Sequence, residues 1–299
     1  MNRRHTWLIA THSARHSVRG GIGLVFLLAS LTFGLLVAHY VLLGVEQVGK
    51  QTPTADAAEV LAQIGRRAKP MVAWVLVDKD SAQVPEARRA ADAWATYLIE
   101  ERPAILSAIF LILLFGWPLV VSFGAFDLYS SDIGSRQLRY QLLRTDRSSI
   151  FFGRLLGMLG TFALVLVLLG LGVTSYIALK LPVYGAGPLF VWAAYGTIAM
   201  FCVSVPYVAL CAWISAACRS AFLSMTITSA VIGGVPLFAT IVATWTPFAS
   251  WLHYALPWPF QTQLFHPEPG RVALAVLGCG LQTVVFLWLG HRRFTRRDL

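Results

Sequence analysis

The residues that could carry chemistry are few and thinly spread. His5, His12 and His16 stand near the N-terminus. His12 and His16 are at i, i+4 spacing, which places two imidazoles on one helix face where they could share a metal. No carboxylate or cysteine accompanies them. The sequence therefore favours an amphipathic helix over residues 1–21, lying along the inner membrane surface with Trp7, Leu8 and Ile9 dipping in. The four lysines, Lys50, Lys69, Lys79 and Lys180, are followed by Gln51, Pro70, Asp80 and Leu181. A phosphate-binding loop needs its lysine followed by Ser or Thr, so this chain does not hydrolyse ATP by that route. Cys202, Cys211, Cys218 and Cys279 sit within or beside apolar segments with no C-x-x-C pair. They read as small packing residues, not as zinc ligands or a disulfide framework. No H-E-x-x-H or G-x-S-x-G run occurs, and Glu100-Glu101-Arg102 lacks the spacing of a glutamate-based intramembrane protease. An enzyme would have no residues to work with, and neither a cofactor nor a metal is expected in this chain.

Those sparse groups sit in an unusually apolar chain. Of 299 residues 57% are hydrophobic and only 13% are charged, whereas soluble domains carry about 25% charged residues. A soluble protein and a disordered chain are both excluded. A helix needs about 20 apolar residues to cross the bilayer, and six runs qualify, near 22–45, 104–126, 150–179, 189–217, 221–245 and 272–289. The reading is an all-α polytopic membrane protein, one domain over residues 1–299. The first run is too long for a signal-peptide core and no small-x-small site ends it, so it is expected to stay as an uncleaved helix. His39, toward the outer end of that helix, is the nearest thing to an ionisable group in an apolar core, and a lone histidine there reads as a packing or interfacial residue.

The formal net charge is +10. In a soluble protein so basic a balance would suggest nucleic acid, but its location says otherwise. With the N-terminus taken as cytoplasmic, residues 1–21, 127–149, 218–220 and 290–299 together with Arg154 hold 14 basic and 4 acidic residues. The opposite side holds 10 of each. Lys and Arg are retained in cytoplasmic loops, so both termini are expected in the cytoplasm and no nucleic-acid partner is expected. On the outer side, residues 46–103 form one sizeable loop. Stretches 55–69 and 85–102 have helix-forming composition with Val60, Ile64, Trp94 and Leu98 at helical spacing, which points to a small helical cap or else to a merely solvated loop. The last outer connection, 246–270, is rich in aromatics and prolines. It reads as an interfacial belt or as a short re-entrant helix pair near an exit path.

The cytoplasmic loop 127–149 is the informative stretch. Asp132 or Ser131 can cap a short helix whose apolar face is Leu138, Leu142 and Leu143. Asp146 can cap the third membrane helix at the positive end of its dipole. With Asp127, Asp132, Gly134, Ser135, Leu142, Leu143, Arg147, Gly153, Arg154 and Gly157, this loop resembles the signature of ABC-2 type transporter permeases. The break Cys218-Arg219-Ser220 and the ending Phe294-Thr295-Arg296-Arg297-Asp298-Leu299 are also similar to that family. The chain departs from it in that the family's acidic pair is reduced to Ser131-Asp132.

The resemblance implies the permease subunit of an ATP-driven exporter in the cell (inner) membrane. It would act as a dimer of permease subunits, with ATP and Mg on a separate ATP-binding cassette subunit. Asp132, Gly134, Ser135, Arg136, Arg139, Leu142 and Arg147 would then couple to that ATPase. The long first outer loop is more similar to the copper-enzyme-maturation and drug or lipid exporter branches than to the polysaccharide branch. A charge-poor membrane core suits an apolar or amphipathic cargo. The rival reading is a membrane scaffold that transmits force or recruits partners without moving cargo. The topology is open to test: single cysteines near Val60 or Ala90 are expected to react with an impermeant thiol reagent from outside the cell, and one at Tyr140 only after permeabilisation. The opposite pattern would invert the assignment.

Overall fold

The computed structural model describes residues 3–19, 21–51, 57–76, 85–181, 183–243 and 254–297, and among these there is no strand. Six helices are long and apolar enough to cross a membrane: Leu24–Val48, Ala104–Gly134, Arg147–Lys180, Ala186–Ala217, Ala221–Val242 and Pro269–Thr295. The chain is a multi-pass, all-α membrane protein. In chain order the elements are α1 (Arg3–Arg19), α2 (Gly21–Gln51), α3 (Ala57–Leu76), α4 (Pro85–Thr96), α5 (Ala104–Ala125), α6 (Ser130–Gly134), α7 (Gln137–Leu142) and α8 (Arg147–Lys180). They continue with α9 (Ala186–Ala217), α10 (Ala221–Ser229), α11 (Val235–Ala243), α12 (Trp258–Gln263) and α13 (Pro269–Thr295). The six spans are α2, α5, α8, α9, α10–α11 and α13. A π-helical turn over Ala230–Gly234 joins the halves of the fifth.

Span boundaries follow from local chemistry. Asp146 caps α8 through its side chain. Pro269 opens α13 at a position where its missing N–H is no loss, and Arg292 and Arg293 sit in the last turn against the negative end of the dipole. In the middle of the bundle α9 packs on α13, α8 and α5. Polar links between spans are short and local. Trp117 Nε1 donates to Ser204 Oγ at 2.7 Å, and Trp192 Nε1 donates to Ser107 Oγ at 3.0 Å. His39 lies 2.8 Å from the Tyr176 hydroxyl, so it links the first and third spans. Without water, each such group must find its partner in a neighbouring helix.

The two ends of the bundle differ. One gathers α1, the loop between α5 and α8, the break at Cys218 and the last turn of α13; we call it the basic end. The far end carries α3 and α4, the latter extended by a π-helical turn over Tyr97–Glu101. The expected helix 55–69 runs past Lys69 and through Pro70 to Leu76. Trp94 is buried and donates from Nε1 to the Phe265 carbonyl at 2.8 Å, with its ring 4.6 Å from that of His266. The cap is thereby anchored on the connection before the last span. Of that connection, 244–253 lie outside the described residues. The rest turns into the protein: Leu256, Gln261, Leu264 and Phe265 are buried. Gln261 Nε2 donates to the Tyr207 hydroxyl, Tyr195 Oη to the Leu264 carbonyl, and Gln282 Nε2 to the Tyr254 carbonyl. The described part of this segment holds one short helix, α12, and its backbone there is surrounded by protein.

At the N-terminus the arrangement departs from expectation. α1 is seated along the first turns of α8. A Cβ on Gly153 would lie 2.7 Å from Ile9 Cβ, and one on Gly157 would lie 2.7 Å from the Ala10 carbonyl oxygen. The small-x-x-x-small spacing thus makes a groove for a neighbouring helix, and Ile9 is turned into it. Trp7 and Leu8 face outward, 68% and 56% exposed, so the three residues do not share one face. Length supplies the reason. At 34 residues α8 is about 51 Å long, some 20 Å more than the hydrocarbon needs, and its surplus turns offer α1 a surface. Gly157→Leu is expected to lift α1 off this groove and to destabilise the purified protein by about 1–3 kcal/mol, read as a lower melting temperature and as new protease cuts between residues 3 and 19. Gly160→Ala, where an added Cβ meets open space, should change neither.

Candidate functional site at the basic end

The segment between α5 and α8 is built in two parts, a fixed root and an exposed tip. The root starts at Phe126, whose carbonyl accepts from Ser224 Oγ at 2.6 Å. The Tyr129 and Ser130 N–H groups both donate to Ser215 Oγ, at 2.9 and 3.0 Å. Tyr129 is fully buried, stacked on Phe151 at 5.2 Å and tilted against Phe294 at 5.0 Å, and its hydroxyl donates to the Phe151 carbonyl at 2.8 Å. One tyrosine thus touches the loop, the third span and the last span together.

Asp132 and Ser131, expected to cap the helix that carries Leu138 and Leu142, lie inside α6 instead, and α7 starts after Arg136 with no side-chain cap. Asp127 Oδ1 accepts from Ser130 Oγ at 2.6 Å and from the Ser131 N–H at 2.8 Å. Asp132 is occupied elsewhere: it forms an ion pair with Arg154 of α8. Arg154 also donates to the Leu128 carbonyl at 3.1 Å and to Gln141 Oε1 at 3.0 Å, so one guanidinium spans the loop from α6 to α7. Gly134 has no room for a side chain, because a Cβ there would lie 2.4 Å from the Arg219 carbonyl oxygen. The loop and the break between the fourth and fifth spans are in backbone contact at this point.

Beyond Gly134 the chain turns at Arg136, whose φ of 60° is the one left-handed non-glycine among the described residues, and enters α7. Leu138 is fully buried and Leu142 half-buried. Leu143, expected on that same apolar face, is 83% exposed, and Tyr140 is 75% exposed. Leu143 lies past the end of α7, and its rotation carries it to the opposite side. The exposed residues of the tip thus include Arg136 just before α7, Arg139 and Tyr140 on it, and Leu143 just after it. Tyr140 is the site residue that sequence reasoning misses, although its spacing from Arg136 is the available signal. Ser135 is also exposed.

Of the other expected site residues, Arg147 turns away from the tip. Its guanidinium donates to the Thr295 and Arg297 carbonyls, both at 2.7 Å. Arg297 in turn donates to the Ala216 and Cys218 carbonyls, at 2.6 and 3.0 Å. Both arginines thereby satisfy helix C-terminal carbonyls that have no partner within the helix. Of the seven residues expected to couple, Gly134, Ser135, Arg136 and Arg139 are exposed. Gly134 backs onto Arg219, Leu142 is half-buried, and Asp132 and Arg147 are engaged within the chain.

Among the described residues no three His, Cys, Asp or Glu side chains come together as a metal site, and the His16 side chain lies outside those described. The four cysteines carry free thiols. No family model matches the chain, and no curated protein matches it.

Asp146 accepts from Ser149 Oγ at 2.8 Å and from the Ser149 N–H at 3.2 Å. The Ser149 side-chain hydrogen bond is the main reason its carboxyl pKa is held below the ordinary 3.8. A carboxylate with a depressed folded-state pKa stabilises above its unfolded pKa, and that contribution fades as pH falls through the folded value. Asp146→Ala is expected to lower the melting temperature at neutral pH, with the gap from wild type narrowing as pH drops through about 4. A gap of constant size across that range would contradict the cap's ionised role.

Proposed function

We propose that this chain is the transmembrane permease subunit of an ATP-driven exporter of the ABC-2 type. In this reading the basic end faces the cytoplasm of a cell whose inner membrane the six spans cross. The observation that carries it is the tip: two cations, an aromatic ring and a leucine, all exposed within residues 136–143, mounted on a root fixed to α8, α9 and α10. A surface of this kind suits a groove with acidic walls and an apolar floor, supplied by a separate ATP-binding cassette subunit that holds ATP and Mg. Long-range positive charge would speed that encounter, while Tyr140 and Leu143 would supply buried contact area.

Transmission of force follows from the mount. A push on α7 reaches α8 through Arg154, which holds Asp132, Gln141 and the Leu128 carbonyl at once. It reaches α9 and α10 through Ser215, Ser224 and the backbone contact at Gly134. Packed elements joined this tightly move as a body rather than deforming. Two copies of the chain rocking against each other would open and close a path between them, and the charge-poor spans suit an apolar or amphipathic cargo.

The reading is tested by purifying the chain from native membranes and asking whether a P-loop ATPase accompanies it. The double variant Arg136→Glu, Arg139→Glu is expected to lose the ATPase on purification, with affinity lowered about a hundredfold or more, and to keep an unchanged helical circular dichroism spectrum. Co-purification and ATP hydrolysis at wild-type levels would overturn the coupling role of the tip. ATP hydrolysis by the reconstituted complex without movement of any lipid or peptide would favour a force-transmitting scaffold.

A further inference from the structure

Between α1, α2, α5, the loop and α8 lies a half-open cleft of about 870 Å³. It straddles a change in chemistry. Along α8 the lining residues are Ile150, Arg154, Met158 and Thr161, and along the end of α5 they run from Asp127 back to Phe123. On each element a charged residue, Arg154 or Asp127, lies nearer the loop than a large apolar one, Met158 or Phe123. Phe26 of the first span completes the apolar half, while His5 of α1 and Arg144 after α7 stand at the polar half.

The charges at the polar half are unequally free. Asp127 is engaged with Ser130 and Ser131, and Asp132 and Arg154 pair with each other. Arg144 is exposed and no described carboxylate pairs with it. The unspent charge facing the cleft is therefore a planar guanidinium, the group best shaped to take two oxygens of a phosphate. Leu8, at the mouth, is 56% exposed and continues the apolar wall outward.

We propose that this cleft binds an anionic glycerophospholipid drawn from the leaflet on the basic side. The headgroup phosphate would accept hydrogen bonds from Arg144, with His5 beside it, and one acyl chain would lie on Phe26, Phe123 and Met158. A free phosphate would use only the polar half, and a plain hydrocarbon only the apolar half. An amphiphile uses both, and the volume lies within the usual range for specific small-molecule sites. The proposal goes beyond the transport reading and stands without it, since it requires only that the six spans sit in a bilayer.

The test uses the full chain alone in nanodiscs, with no ATPase and no nucleotide, so its outcome is separate from that of the co-purification experiment. A phosphatidylglycerol carrying a photoreactive diazirine near the middle of one acyl chain is added as a trace, and labelled peptides are mapped by mass spectrometry. Labelling is expected to concentrate on the peptides containing Phe123 and Met158. It should fall about tenfold, the loss expected for one charge-assisted contact, in Arg144→Gln and in the cavity-filling Met158→Trp. Arg296→Gln, outside the cleft and exposed at the same end, should leave it unchanged. Melting temperatures identify any variant that has lost its fold, and the wild-type labelling pattern decides the matter even then. Labelling spread evenly over all lipid-facing helices, equal labelling by the matching phosphatidylcholine probe, or displacement by inorganic phosphate at millimolar concentration would each overturn the assignment.

Discussion

A helix that ends at the surface of a membrane leaves carbonyls with no partner inside it, and the structure meets that need with arginines supplied by other helices. Arg147, in the first turn of the third span, holds the carbonyls of Thr295 and Arg297. Arg297 holds those of Ala216 and Cys218 at the end of the fourth span. Each bond carries a full charge toward the negative end of a helix dipole, which strengthens it over a neutral equivalent. Three spans are therefore tied end to end by two side chains. Losing either arginine would leave two carbonyls half-buried and unpaired, a larger cost than the gain from making the bonds. Burial, and then the nearby charges of Arg219 and Arg293, lower the Arg297 pKa, yet a guanidinium stays ionised under any physiological condition. The tie does not switch with pH.

This constraint explains why the loop after the second span is a mount and not a flexible connector. Its root lies against the same tied helices: Tyr129 sits between Phe151 and Phe294, and Ser215, one residue before Ala216, takes two of the loop's N–H groups. The positions of α6 and α7 are thus set by the ends of the third, fourth and last spans. The tip that projects beyond them has a fixed direction, which is what a docking surface must have if a push on it is to move anything.

Much of this is legible in the sequence. The six spans follow from apolar runs of the right length, and the Asp146 cap follows from an acidic residue just before such a run. The exposed tip cations Arg136 and Arg139 are among the residues that the loop's resemblance points to. What the residues alone do not reveal is which charges are spent internally. Asp132 and Arg154 are twenty-two positions apart, and Arg147 meets Thr295 across nearly half the chain; one-dimensional spacing carries no trace of either pairing. Asp132 reads as a helix cap by composition, but it lies inside α6 and its carboxylate is engaged by Arg154. The glycines at 153 and 157 are visible as a close-approach motif, but the partner helix is evident only from the fold, where α8 is longer than the bilayer and α1 short enough to lie along the excess.

The Asp132–Arg154 pair shows how such a site divides its work. Both side chains are mostly shielded, 20% and 16% exposed, and removing two charges from water costs nearly what their attraction returns. Its value lies in specificity more than in stability. Arg154 has donors enough to hold Asp132, the Leu128 carbonyl and Gln141 together, and an apolar replacement of equal volume could fix only a distance, not the relative rotation of α6 and α7. Because the carboxylate is consumed in this way, it is withdrawn from the surface, and the tip presents cations without an acidic neighbour in competition. The same withdrawal leaves Arg144 as the uncommitted charge on the cleft beside it. One internal ion pair therefore sets the chemistry of two surfaces, the exposed tip and the cleft beside it.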